Sequence, residues 1–220
     1  MKIAALLVAL VALLGAAPAS APARPATGAP AGRAGAAAQP GTTITVAYRV
    51  DAVTRLAKPG SDLTIGPGLL VVEIDLVNGT IIGDLRLPPA HGYFVFFGFV
   101  PSTARTDMTP VAKVTGTIEA GQIKAHALID IRASEVVVDR QPLDVGPGCR
   151  TGAPAVLDVE GPFDLAATVL EGVYEIPAFD GCRGRERLDP LLTGLISGPG
   201  NAIRLTLTAL PPDPATQPVP

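Results

Sequence analysis

The 220-residue chain has no Trp, only two His, two Cys and two Met, and aromatic residues make up 4% of it. Two histidines exclude a His-rich metal centre. Lysine is also scarce, 4 against 13 Arg, and 17 basic side chains oppose 20 acidic ones for a formal charge of -3. That balance supplies no electrostatic reason to bind nucleic acid or an anionic membrane surface. Long apolar runs are missing too. The longest, Ile3 to Leu14, is about 12 residues, whereas a bilayer-spanning helix takes roughly 20. What the chain has in quantity is Gly (24) and Pro (23), over a fifth of all residues against a usual share of about 12%. Such a chain turns often and holds few long helices.

The N-terminal stretch combines a cation (Lys2), the short apolar run and a small-residue segment ending in Ala21-Pro22-Ala23. This is the pattern of a secretory signal peptide over residues 1–23, so a secreted or cell-wall-associated protein is expected, not an integral membrane protein after cleavage. Residues 24–41 are nearly all Ala, Pro and Gly and contain no bulky apolar side chain. They cannot bury enough surface to offset ordering entropy and read as a disordered linker. Residues 211–220 read as a Pro-rich tail. The folded unit is then 42–210, enough for one core.

Cys149 and Cys182 both fall in Gly-rich loops, and in an exported chain an even count of two allows one pairing. A disulfide between them is expected, as a structural brace.

Between Thr42 and Leu56, Ile44, Val46, Tyr48 and Val50 alternate with Thr45, Ala47, Arg49 and Asp51, the period of a half-buried strand. Leu69–Val77 and Thr80–Leu87 flank Asn78-Gly79, a strong hairpin signal. Tyr93–Val100 is apolar on both faces and reads as a strand at the centre of the fold. Further strands are expected at 103–111, 112–119, 123–138, 155–159, 168–176 and 202–210. One short helix is expected near the C-terminus, with Asp189 as N-cap, Pro190 at its first position and Gly198 as its stop. Gly-Pro-Gly at 66–68, 146–148 and 198–200 fits corners made by type II turns. The fold class is all-β: an antiparallel β-sandwich or a closed β-barrel.

No catalytic or metal-binding constellation stands out, and no cofactor is expected. His91 reads as a surface turn residue and His126 as an ordinary strand residue. Ser197 lies in Gly194-Leu195-Ile196-Ser197-Gly198, which has the wrong spacing for a nucleophile elbow. A hydrolase would need His91 or His126 to meet an acid and Ser61, Ser102, Ser134 or Ser197. Glu73 and Asp75 share a strand face that Asp84 can join, expected to be a solvated face supported by Arg49 or Arg86. Arg183, Arg185 and Arg187 lie among Asp180, Glu186 and Asp189, as in a self-neutralised loop. The place to look for a ligand is the aromatic segment. Phe94, Phe96 and Phe97 can line an apolar cavity if the interior has spare volume.

Segments such as Phe96-Phe97-Gly98-Phe99-Val100-Pro101, Gly146-Pro147-Gly148-Cys149-Arg150-Thr151 and Ile176-Pro177-Ala178-Phe179-Asp180-Gly181-Cys182 carry a resemblance. The chain resembles an uncharacterised family of small secreted β-rich proteins of actinobacteria, which implies no particular activity. In overall layout it is also similar to the YceI-like lipid-binding barrels, which implies export and an isoprenoid ligand. Its paired Cys and late helix depart from that pattern. The expected function is a non-enzymatic binding or structural role in the cell envelope or outside the cell, whose partner is an envelope component or a hydrophobic small molecule. The alternative is a lipid- or isoprenoid-binding carrier, and a hydrolase comes third.

Overall fold

A computed structural model describes residues 43–211. The expected signal peptide, the linker and the tail beyond residue 211 lie outside the described residues. The described chain begins with β1 (Thr43–Leu56), β2 (Ser61–Asp75), β3 (Thr80–Arg86) and β4 (Ala90–Phe96). It continues with β5 (Val100–Pro110), β6 (Val114–Glu119), the long β7 (Gln122–Val138), β8 (Gln141–Leu143) and β9 (Arg150–Thr151). Last come β10 (Ala155–Pro162), β11 (Ala167–Ile176), β12 (Phe179–Asp180), the helix α1 (Asp189–Leu195) and β13 (Gly198–Ala209).

The strands pair antiparallel in the order β10-β11-β13-β1-β2-β3-β6-β7, and β10 also pairs with β7, which closes an eight-stranded barrel. Of the two all-β architectures open to the sequence, the barrel is the one formed. The alternation expected for β1 holds, with Tyr48 and Val50 buried and Arg49 exposed. Its inward residues meet Leu70, Val72, Ile74, Ile123, Leu170 and Leu207 in one apolar core. The interior is filled, leaving a void of only about 40 Å³. Outside, ion pairs such as Arg49–Asp51 (2.8 Å) and Lys113–Asp84 (3.3 Å) cover the strands. Apolar inside and charged outside is the reverse of a barrel that faces lipid.

Two irregularities shape this barrel. In β2 the buried residues are Leu63 and Ile65, then Leu70, Val72 and Ile74, so the alternation changes phase across Gly66-Pro67-Gly68. The register against β1 shifts at the same place, between Val50 and Ala52. Gly66-Pro67-Gly68 is therefore a bulge inside a strand and not the expected type II corner: one extra residue on the β2 side re-aims every side chain beyond. Gly198-Pro199-Gly200 opens β13, so only 146–148 lies in a turn, and there the positive φ belongs to Gly146. Elsewhere, a Cβ on Gly161 would lie 2.1 Å from the Val169 carbonyl oxygen, and one on Gly172 2.2 Å from that of Asp158. Only glycine lets β10 and β11 cross so closely.

The Asn78-Gly79 hairpin is present, but its turn takes in Leu76 to Gly79 and closes at Asp75↔Thr80. The aromatic segment departs further from expectation. β4 stops at Phe96 and lies at the end of the strand order, not at its centre. Phe94 and Phe96 are buried, Tyr93 is exposed, and Phe97-Gly98 turns the chain with positive φ at both residues (55° and 77°). Gly98 is the physical reason, since a left-handed turn there ends what would otherwise be one long strand.

Cys149 and Cys182 form the expected disulfide, fully buried. It lies beside the short β9–β12 ladder, and the Ala133 N–H of β7 donates to the Cys149 carbonyl. Replacing both cysteines by Ala is expected to cost about 3 to 4 kcal/mol through lost loop closure in the unfolded chain. Urea unfolding with and without reductant measures this, and equal stabilities would deny the bridge that role.

Candidate functional site

β7 is longer than the barrel needs. Its first half pairs with β6 and β10, and from Ile129 to Val138 it pairs with β5, which in turn carries β4. This projecting sheet and α1 enclose an apolar pocket of about 240 Å³ outside the barrel. Phe94, Phe96 and Phe97 line it together with Val100 and Ala104 of β5, Ala133, Val136 and Val138 of β7, and Leu143 of β8. α1 adds Leu191, Leu192, Leu195 and Ile196. The three phenylalanines singled out in the sequence thus share one pocket, although it lies outside the barrel and not in the barrel interior. Phe94 and Phe96 pack at 6.1 Å between ring centroids as its floor, while Phe97 is 75% exposed at its mouth. An apolar cavity of about 150 Å³ suffices for benzene, and drug-sized ligands occupy upwards of about 300 Å³. The space here lies between these two sizes.

The α1 wall is fixed at both ends. Pro190 presets φ in the first turn. The N-cap is Leu188, not Asp189, and no side chain caps the helix. Asp189 does something else: its carboxylate accepts the Cys182 backbone N–H (2.7 Å) and Arg187 Nε (2.8 Å). The Arg187 bond and then the Cys182 N–H hold this carboxyl below its ordinary pKa, while burial opposes them. At the other end, Lys58 Nζ donates to the Thr193 and Gly194 carbonyls, a cation where the helix dipole is negative.

The remaining candidates do not converge. His91 is exposed on β4 opposite Arg105, on a strand and not in a turn. His126 has an acid partner that sequence reasoning missed, Asp158 Oδ1 at 2.7 Å from Nδ1. The two residues are 32 apart, so only the β7–β10 register brings them together. They lie in an open groove of about 750 Å³ on the outer face with Thr115, Lys124 and Glu160. The hydroxyls of Ser61 and Ser197 donate to the carbonyls of Pro59 and Pro177, and that of Ser102 points to Val100 O. Ser134 stands opposite Arg105 in the β5–β7 ladder.

Glu73 and Asp84 share the outer face, but Asp84 and Asp75 are engaged separately. Asp84 pairs with Lys113, and Asp75 accepts hydrogen bonds from Asn78 and Val77 across the turn, chiefly Asn78, which hold its carboxyl below the usual range. Arg49 serves Asp51 and not this face. Of the arginine cluster, Arg187 is engaged by Asp189 and Arg183 and Arg185 are exposed. Among the described residues no group of three His, Cys, Asp or Glu side chains is placed to hold a metal ion, and no helix is long and apolar enough to cross a membrane.

The molecule is thus an antiparallel eight-stranded barrel with a filled interior and an apolar pocket on an appended sheet. Comparison with known protein families, curated proteins and solved structures finds no match to this chain.

Because the folded-state pKa of Asp189 is depressed, its stabilising contribution is complete above the ordinary carboxylate pKa and is lost as pH falls through the lower folded value. Asp189→Asn is therefore expected to lower the Tm at neutral pH and to flatten its acid dependence. Parallel melting curves from neutral to strongly acidic pH check this.

Proposed function

We propose that this protein is a non-enzymatic, exported binding module of the cell envelope or extracellular space, and that its ligand is the apolar end of a lipid or isoprenoid. The observation that carries this reading is the pocket, where buried Phe94 and Phe96, Ala133, Val136 and Leu192 surround about 240 Å³ without a charged group. In the filled barrel such a space would be packed. An unfilled apolar cavity forfeits dispersion contacts that a ligand restores. The disulfide is compatible with an oxidising, extracytoplasmic setting.

Native mass spectrometry of protein purified from its producing cell is expected to show a co-purifying hydrophobic molecule. Ala104, which is partly exposed in the pocket wall, provides the test by substitution. Ala104→Leu fills part of the space and is expected to weaken uptake of a fluorescent medium-chain fatty acid about tenfold. Unchanged titration curves would remove the pocket from the function.

A further inference from the structure

We propose that the turn Phe97-Gly98-Phe99 docks the protein on a lipid surface, so that the pocket opens toward hydrocarbon and receives its chain from the bilayer. This rests on the reading of the pocket as a lipid-chain site and names the source of the chain.

All three exposed aromatic side chains of the described residues lie on β4 and this turn: Tyr93 (61%), Phe97 (75%) and Phe99 (76%). Phe97 and Phe99 stand side by side, 6.5 Å between ring centroids, at the outermost point of the hairpin. Phe99 N–H bonds the Phe96 carbonyl, and positive φ at Phe97 and Gly98 makes this a type I′ turn. Its first central position favours Asn, Asp or Gly, and a bulky aromatic held there at φ 55° is strained. Neither folding nor core packing calls for Phe at that place. Phe97 also lines the pocket, and Leu191 of α1, half exposed, faces it across the mouth.

The size of this patch selects its occupant. Two phenylalanines and a leucine offer on the order of 500 Å², while a stable protein interface needs about 800 Å² from each partner. A bilayer needs no matching shape and accepts separate aromatic anchors. The neighbouring turn supports the same choice. Asp139 N–H bonds the Pro101 carbonyl, placing Asp139 and Arg140 beside the aromatic turn. Their side chains are 69% and 90% exposed and 3.9 Å apart, so their charges cancel at headgroup level. Docking is therefore driven by apolar insertion and is indifferent to lipid charge.

The test is co-sedimentation of the protein, purified as its cell exports it, with phosphatidylcholine vesicles. Wild type is expected to bind, with little change when anionic phosphatidylglycerol is added. Phe99→Ser, outside the pocket wall, is expected to bind vesicles about tenfold less tightly while its Tm and its uptake of the soluble fatty-acid probe stay unchanged. Vesicle binding that Phe99→Ser leaves intact, a requirement for anionic lipid, or no binding by wild type would overturn the docking. So would a dimer in solution that Phe99→Ser dissociates, since the patch would then serve a second copy. Vesicle binding without probe uptake would uphold the docking surface and reject the pocket.

Discussion

One strand, β7, belongs to two structures at once. Eight register pairs with β10, from Ala155↔Ile129 to Pro162↔Gln122, close the barrel. Its remaining residues, through Val138, have no barrel neighbour and must satisfy their backbone groups elsewhere. They do so with β5, β8 and a single pair to β9. A projecting sheet with an apolar face needs a cover, and α1 supplies it incompletely. The pocket is the remainder of that arrangement. It exists because the barrel closes before β7 ends.

The all-β class could be read from the residues to the extent that alternation reports a buried face, but closure into a barrel and not a sandwich could not, because it rests on the β7–β10 pairing. Tyr48 and Val50 in β1, the run 123–138 and the late helix all carried their signal openly. The aromatic segment did not, because a run of apolar residues looks the same whether it crosses a core or turns at the surface. Gly98 was the one local sign of the turn, and it competed with seven residues of strong β propensity. The bulge in β2 was also written in the sequence, as a switch from odd to even buried positions between Ile65 and Leu70. Its Gly-Pro-Gly looked like a corner because the same residues serve both. The His126–Asp158 pair and the α1 wall were out of reach, since each depends on register or packing between distant segments. The apolar chemistry of Phe94, Phe96 and Phe97 is legible in the sequence, and their place around a pocket on the appended sheet is not.

Polar groups in this molecule mostly serve the scaffold. Buried Thr54 bonds the Tyr174 hydroxyl at 2.8 Å and the Ala202 carbonyl, and fully buried Asn201 bonds backbone around the start of β13. Burial pushes the Tyr174 phenol up from its ordinary pKa, so it stays a neutral hydrogen-bonding group. Asp189 works in the same way, joining the disulfide loop to the first turn of α1. The covalent brace, the carboxylate and the helix form one chain of connections that ends at the pocket wall.

The pairing of β1 with β13 has a consequence for assembly. Tyr48 meets Ala209 and Arg55 meets Ala202, so the outer edge of the first strand is completed by the last. A polypeptide threading out with its N-terminus leading can zip β1 to β2 and β2 to β3 early, yet one flank of that meander stays bare until residue 198 and beyond have followed. Contacts so distant along the chain are slow to form. Until then the exposed edge is a template for any passing strand, which makes the final segment the molecule's own safeguard against pairing with the wrong neighbour.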